Sequence, residues 1–301
     1  MTYSIVARDP ETGRLGVAVQ SHWFSVGSTV SWAEAGVGVV ATQAQGERSY
    51  GPLGLELMRR GRSAPDALET LLHADSDAAV RQVAFVDASG EVGVHTGDGC
   101  IRDFGHVAGE GFSVQANMMS CDTVWHAMAD AYRAAKGDLA DRMLTALGAA
   151  QGEGGDIRGM QSAAMLIVEA EPTGSEWTDR VLDLRIEDHS SPVQELARVL
   201  RLWRAYAHSE LAEKLELEND LEGVMRECLA ALEIQPGHPE FALWGAITMA
   251  GAGRFDDARR MVAVARSAGP GWSELLRRMV ADGQVDLDEE AIAVLLEDDD
   301  G

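Results

Sequence analysis

The chain has 301 residues, of which 46% are hydrophobic and 25% are charged, as in a globular protein long enough for two domains. Its formal net charge is −24, which argues against a nucleic-acid partner because phosphates would be repelled. No apolar run approaches the roughly 18 residues of a membrane span, and the first residues lack the basic start of a signal peptide. We therefore expect a cytoplasmic protein with no membrane partner.

The cysteines and histidines do not form a metal-binding pattern. Cys100, Cys121 and Cys228 lie far apart with no CxxC motif, which predicts free thiols. The 8 histidines include no HxxxH or HExxH pair. We expect no metal site and no cofactor.

The N-terminal residues predict a β-hairpin. Residues 3–8, "YSIVAR", are apolar, "DPETG" supplies turn residues, and "RLGVAVQS" predicts the returning strand. The segment "STVSWAEAGVGVVATQA" predicts one or two further strands.

Helices are then predicted in pairs between groups of strands. "SYGPLGLELMRRG" and "SAPDALETLLHAD", with Ser63 as N-cap, predict two helices, and "RQVAFVDASG", "EVGVHTG" and "FSVQANMM" predict strands. "CDTVWHAMADAYRAAKG" and "LADRMLTALGAAQG" predict two more helices before the strands "SAAMLIVEA" and "RVLDLRIED". This order predicts an α+β fold of stacked sheets with helix layers outside, and not a doubly wound sheet.

The strand pattern ends near residue 190, which predicts two domains, 1–190 and 191–301. In the second, Phe241 begins a helical pattern that passes through a "GAGRF" turn to Ala258 and ends before Pro270. This spacing resembles a tetratricopeptide repeat, and Pro236 closes what would be a preceding repeat. Stacked helical repeats of this kind suit the binding of a protein partner.

Thr2 is the first candidate for chemistry. A small second residue permits removal of Met1, which would leave Thr2 with a free α-amine beside its hydroxyl. The amine can then act as general base for the hydroxyl, so that one residue supplies nucleophile and base. The alternative is that Thr2 is only a good strand former.

Polar residues also stand at two predicted strand ends. In "GVGVVATQAQGERSYG", small residues allow close backbone approach and Gln43 adds an amide donor, as an oxyanion hole requires. In "GFSVQANMMS", Gln115 and Asn117 precede a helix and could point into a site. The alternatives are a tightly packed strand end and a helix cap formed by Ser120 or Asp122.

The glycine-rich segment "GEGGDIRGMQSAAML" is a third candidate. It contains Asp156 and Arg158, and Gln161 and Ser162 open the strand that follows. Such a loop can hold a substrate or fix a neighbouring group, although it is neither a GxGxxG motif nor a phosphate loop. The alternative is a structural turn with a local ion pair.

Six segments, in order, resemble the bacterial family DUF1028 over roughly residues 2–190: "TYSIVARDPETGRLGVAVQS", "VGSTVSWAEAGVGVVATQA", "SYGPLGLELM", "HTGDGCI", "GFSVQANMM" and "GGDIRGMQSAAMLIV". That family is assigned by fold to the N-terminal nucleophile hydrolases. The resemblance implies a four-layer αββα sandwich, hydrolysis of a small amide or peptide substrate, and a homodimer.

The resemblance also implies roles for particular residues. Thr2 would be the nucleophile, and Gln20 and Ser21 take the place of an Asp on the second strand of the hairpin. The oxyanion-hole turn would fall at Thr42–Ala44, and the adjoining strand end at Ala116–Met118.

The loop from Asp156 to Ser162 would lie near the amine, and Arg158 would help to orient the amine or the substrate. The superfamily places a Lys beside the nucleophile, whereas the first Lys of this chain is Lys136. Arg158 or His22 would replace it.

Two functions therefore stay open. The first is an amidohydrolase with Thr2 as nucleophile, Gln43 or Asn117 near the oxyanion, and Gln115 and Gln161 among the substrate contacts. The second is a binding scaffold that kept the fold, with the helical repeats as the surface for a protein partner.

Overall fold

The computed structural model describes residues 2–296, so that Met1, whose removal the Thr2 hypothesis requires, lies outside the described residues. The chain divides into two compact units, the first ending at Ala197 and the second beginning at Arg198. A search of residues 2–296 found no helix with the length and apolar character needed to cross a bilayer.

The first unit is a mixed α+β structure containing two antiparallel sheets. The larger has the strand order β10-β9-β2-β1-β8-β7 and the smaller has the order β3-β4-β5-β6. The described strands are β1 (Thr2–Arg8), β2 (Leu15–Ser21), β3 (Ser31–Glu34), β4 (Gly38–Ala44), β5 (Arg81–Asp87), β6 (Val92–Thr96), β7 (Gly105–Gly109), β8 (Phe112–Asn117), β9 (Ser162–Val168) and β10 (Arg180–Ile186).

Helices flank both sheets and account for nearly all of the C-terminal region. The described α-helices are α1 (Gly27–Val30), α2 (Tyr50–Arg59), α3 (Ala64–Ala74), α4 (Val124–Ala134), α5 (Leu139–Gly152), α6 (Glu176–Asp179), α7 (Pro192–Leu217), α8 (Leu221–Ile234), α9 (Pro239–Gly251), α10 (Phe255–Ser267), α11 (Gly271–Ala281) and α12 (Glu289–Leu296). Helices α2 and α3 contact the smaller sheet, whereas α4 and α5 contact the larger one.

The two sheets pack face to face through one apolar core. Because side chains alternate across a strand, Val6, Val17 and Val19 of the larger sheet share a face that meets Val39 and Val86 of the smaller sheet. All five are fully buried. The opposite face of β1 carries Tyr3 and Ile5 toward α5, so that β1 is buried on both sides.

Most of the predicted elements are present, and the main differences lie in the first unit. The "STV" expected to begin a strand forms the short helix α1, and the sequence pattern did not predict β7 or α6. Ser63 caps α3 as predicted, because its hydroxyl accepts the Asp66 N–H at 3.3 Å. The three cysteines are unpaired, as expected.

The second unit contains helices packed on a core of its own. Helices α9 and α10, which contain Phe241 and Ala258, pack against each other across the turn predicted at "GAGRF". Leu243, Met249 and Val262 are buried in that core. The resemblance of these helices to a tetratricopeptide repeat stays a prediction.

Candidate active site

Thr2 begins β1 in the middle of the larger sheet. It pairs with Ser21 on β2 and with Asn117 on β8, so the ends of three strands meet there. The Thr2 hydroxyl donates a hydrogen bond of 3.1 Å to the Ser21 hydroxyl. Both side chains are buried, and both line a cleft of about 310 Å³.

The cleft lies between the ends of the two sheets. The smaller sheet contributes Thr42 and Gln43, and the loop after β4 contributes Gly46 and Arg48. Trp23, Val26 and Val30 supply an apolar wall. Four of the residues singled out by sequence therefore line one cleft: Thr2, Ser21, Thr42 and Gln43. The cleft as a whole presents hydroxyl, amide, cationic and apolar groups.

Backbone strain is concentrated at this end of the sheets. Ala44 closes β4 with a φ of 69°, and Met118 follows β8 with a φ of 56°. Ser25, in the loop that carries Trp23, has a φ of 54°. Residues with a side chain rarely adopt these left-handed conformations, which persist where the surrounding structure enforces them and which cluster at functional sites.

The amides predicted as oxyanion donors hold the Thr2 carbonyl. Gln43 Nε2 donates to the Thr2 carbonyl oxygen at 3.2 Å and to Gln82 Oε1 at 2.7 Å. Asn117 Nδ2 donates to the same two oxygens, at 3.4 Å and 2.8 Å. These contacts fix the backbone of Thr2 and engage the N–H groups of both amides with protein acceptors.

The same network continues between the sheets beneath Thr2. The Ser4 hydroxyl donates to Gln43 Oε1 at 2.7 Å, and Gln115 Nε2 donates to the Ser4 hydroxyl at 2.6 Å. The Ser113 hydroxyl donates to Gln115 Oε1 at 3.0 Å. Gln115 is therefore part of the buried network and does not line the cleft.

Asp156 is a buried carboxylate paired with Arg158. The Arg158 guanidinium lies 2.8 Å from Asp156 Oδ2, so that the local ion pair named as the alternative is present. The same oxygen accepts the backbone N–H of His22 at 3.2 Å. Burial raises the pKa of the Tyr3 phenol well above its usual range, and the charge of Asp156 raises it further. Asp156, Arg158 and His22 are not among the residues that line the cleft.

Ser162 fixes the loop that carries Trp23. Its hydroxyl donates to the Trp23 carbonyl oxygen at 2.5 Å and accepts the Val26 N–H at 3.0 Å. Gln161 lies outside the cleft, where its amide donates to Asp188 Oδ1 at 3.1 Å. Ser162 therefore contacts the loop that forms the apolar wall of the cleft, whereas Gln161 does not.

Gln20 and the predicted helix cap lie elsewhere. Strand alternation places Gln20 on the opposite face of β2 from Ser21, and neither amide atom has a hydrogen-bond partner within the described structure. The cap of α4 was wrongly assigned, because Thr123 and not Ser120 or Asp122 occupies the N-cap position. The Ser120 hydroxyl instead donates to the Glu153 carbonyl oxygen at 2.9 Å.

An ion pair supports the loop after β4. Arg81 Nη1 donates to the carbonyl oxygen of Gln45, a cleft residue, at 2.6 Å. Arg81 Nε lies 2.8 Å from Asp75 Oδ2, and this hydrogen bond is the main reason why the pKa of Asp75 falls to about 2. The loop is thus anchored to a carboxylate that stays charged near neutral pH.

Sequence reasoning missed Trp23 and Arg48. Trp23 is 60% exposed at the cleft, and a large aromatic residue two positions after the apolar strand β2 was a usable signal. Arg48 is exposed and has no carboxylate within ion-pair distance among residues 2–296.

Within residues 2–296, no group of three His, Cys, Asp or Glu side chains is arranged to hold a metal ion.

Comparisons with known proteins relate the first unit to one family. The profile of the family described as "Family of unknown function (DUF1028)" matches residues 2–196. A crystal structure of a protein from Silicibacter pomeroyi, also given as DUF1028, is 32% identical in sequence with a TM-score of 0.60. The match covers 66% of this chain and 88% of that one. A search of curated proteins gave no significant match. The chain belongs to the DUF1028 family.

Proposed function

We propose that this protein hydrolyses an amide or peptide bond, with Thr2 as nucleophile after removal of Met1. The observation that carries the proposal is the position of Thr2. Its hydroxyl lies at the cleft, 3.1 Å from the Ser21 hydroxyl, while two amides hold its carbonyl oxygen. A surface residue in a frayed terminus would not be held in this way.

The reaction would proceed through an acyl-enzyme. The free α-amine of Thr2 takes the proton of its hydroxyl, and Oγ1 attacks the carbonyl carbon of the substrate. The C–N bond then breaks, and the leaving nitrogen receives the proton from the Thr2 ammonium group. A water molecule, deprotonated by the same amine, hydrolyses the ester and regenerates the hydroxyl. Ser21 would orient the Thr2 hydroxyl before the attack, and that hydrogen bond breaks when the amine takes the proton.

The developing oxyanion needs donors that the protein has not already used. Because the amides of Gln43 and Asn117 are engaged, we assign this role to the backbone after β4. Gly46 lines the cleft, and its N–H has no acceptor among the described residues. The strained φ of Ala44 would direct that backbone, in place of the predicted side-chain donors.

The proposal includes the finer fold. The two sheets are stacked, with α2 and α3 on one side and α4 and α5 on the other. This arrangement supports an αββα sandwich of the N-terminal nucleophile hydrolase type. A homodimer and a protein partner for the C-terminal helices belong to the same proposal. The alternative, a binding scaffold, is favoured by one observation, namely the pairing of the amide donors inside the protein.

The test compares variants on a panel of small amides and short peptides. Thr2→Ala is expected to lower kcat/KM at least about 1000-fold, whereas Thr2→Ser retains much of the activity. A lysine inserted between Met1 and Thr2 keeps the hydroxyl but displaces the free amine, and it should abolish activity as fully. Thr70→Ala is the control, because that exposed hydroxyl on α3 bonds only its own helix. Equal rates for Thr2→Ala and the wild type would leave only the scaffold.

A further inference from the structure

We propose that a second pocket, at the other end of β1 from Thr2, binds a small oxyanion carrying at least two negative charges. This arginine pocket has a volume of about 490 Å³ and is lined by Arg8, Arg133 and Arg142 together with Phe112 and Tyr132. Six residue steps along β1 separate it from Thr2 by roughly 20 Å. Three guanidinium groups at one pocket are unexpected in a chain with a net charge of −24.

Arg8 is the central observation. Its side chain is half-buried, and its Nε donates to the Ala88 carbonyl oxygen at 2.8 Å. No carboxylate of residues 2–296 lies within ion-pair distance of it. A partly buried charge without a counter-charge costs free energy, which a bound anion would offset. The remaining N–H groups of the guanidinium are available for that anion.

The other two guanidinium groups are held by aromatic rings. Arg142 Cζ lies 4.4 Å from the centre of the Tyr132 ring, and Arg133 Cζ lies 5.3 Å from the centre of the Phe112 ring. The two rings pack at 4.6 Å. Stacking orients a guanidinium and leaves its edge free, and that edge is the part that matches a phosphate or carboxylate group.

Two of the three arginines have a carboxylate partner near the pocket. Arg133 pairs with Asp130 at 3.2 Å, but both side chains are exposed, and such pairs contribute little. Arg142 lies 3.8 Å from Asp9 in a largely buried pair, although the two Asp9 oxygens also accept the Glu11 N–H and the Thr12 hydroxyl, so Arg142 is partly neutralised and Arg8 is the arginine that most needs a counter-charge. Glu110 lies at the pocket but is exposed, so solvent and salt screen its repulsion of a bound anion.

The shared chemistry is therefore two oxyanion groups on a small molecule, which phosphates or carboxylates can both supply. Isothermal titration calorimetry of the full chain with pyrophosphate, malonate and acetate distinguishes them. We expect binding of pyrophosphate, malonate or both at submillimolar concentration, and none of acetate. The anion that binds more tightly identifies the source, and the assay needs no hydrolytic activity.

Arg8→Gln should weaken that binding at least tenfold, and Arg133→Gln, at an exposed position that leaves the fold intact, at least fivefold. Arg60→Gln is the control, because Arg60 is exposed on the C-cap of α2 and pairs with Glu56. Absence of binding by both pyrophosphate and malonate, or equal affinity in the wild type, Arg8→Gln and Arg133→Gln, would overturn the proposal. A loss confined to Arg48→Gln would overturn it too, since the ligand would then occupy the cleft.

Discussion

The layer between the two sheets has an apolar half and a polar half, and the same strands supply both. Along β4 the inward side chains run from Val39 through Ala41 to Gln43, and along β5 they run from Val86 through Ala84 to Gln82. The polar half lies at the Thr2 end and is as buried as the apolar half. The position of the polar half beside Thr2 indicates that its residues were not selected for stability alone.

Buried amides stabilise a fold only when their hydrogen bonds are complete. Gln82 illustrates this, because its Nε2 donates to the Ala116 carbonyl oxygen at 2.9 Å and to the Thr96 hydroxyl at 3.0 Å. Its Oε1 accepts from Gln43 and Asn117, which hold Thr2. The apolar half holds the sheets together through non-directional hydrophobic contacts, whereas the directional hydrogen bonds of the polar half fix the strand ends at the cleft.

The largest effect should come from removing the centre of the polar half. We expect Gln82→Ala to lower the free energy of unfolding of the first unit by about 3 kcal/mol, because Gln43 and Asn117 lose their shorter hydrogen bonds and keep only the longer ones to backbone carbonyl oxygens. Val86→Ala, on the same face of β5, should cost about 2 kcal/mol through a cavity. Denaturant unfolding measures both.

The two variants should differ most at Thr2. Hydrogen exchange of the backbone amides of Tyr3 and Ser4 should accelerate in Gln82→Ala but stay near the wild-type rate in Val86→Ala. Equal exchange in the two variants would mean that the polar half has no special role in holding β1.

A smaller effect concerns the ion pair that supports the loop after β4. The folded pKa of Asp75, about 2, lies below its ordinary value near 4, so the stabilisation is complete above that ordinary value and is lost as pH falls toward 2. Asp75→Asn should therefore cost about 2 kcal/mol at pH 7, and much less near pH 2. Thermal unfolding across this pH range measures the difference.

Asp77→Asn is the matched control, because Asp77 lies 3.7 Å from Arg81 but its side chain is 69% exposed. It should change the free energy of unfolding by less than about 0.5 kcal/mol. A pH-independent cost in Asp75→Asn would contradict the assignment to its charge.

The smallest effect is expected for Ser162, which bonds both ends of the Trp23 loop. Ser162→Ala should cost about 1 kcal/mol and should accelerate hydrogen exchange at Val26. Ser31→Ala provides the control, because that buried hydroxyl has no hydrogen-bond partner within residues 2–296. It should be neutral or slightly stabilising, and an equal cost for the two serines would contradict this account of the loop.

Local patterns allowed most of the first unit to be predicted. Alternation and turn residues located β1 and β2, whereas β7 was missed because "GHVAG" is short, rich in small residues and only partly buried. The short helix α1 was taken for a strand, because its β-branched residues Thr29 and Val30 favour strands. There, a side chain at Gly27 would meet Ala164, a contact between distant residues that no local pattern reveals.

The site could be predicted only in part for the same reason. Thr2 and Gln43 could be singled out by residue type, and the structure places both at one cleft, while their roles stay a prediction. The engagement of the Gln43 amide by Gln82 depends on the register of β4 with β5 and on the packing of the two sheets, so it could not be foreseen. Arg8 had no motif around it, and its missing partner is visible only in three dimensions.

The central claim is that a liberated Thr2 performs the chemistry. The most direct measurement is the mass of the N-terminal peptide before and after brief incubation of the purified protein with p-nitrophenyl acetate. We predict a peptide that begins at Thr2, and then the same peptide heavier by one acetyl group, with no such gain in Thr2→Ala. A peptide that retains Met1, or an unmodified Thr2 in protein that still hydrolyses amides, would contradict the account.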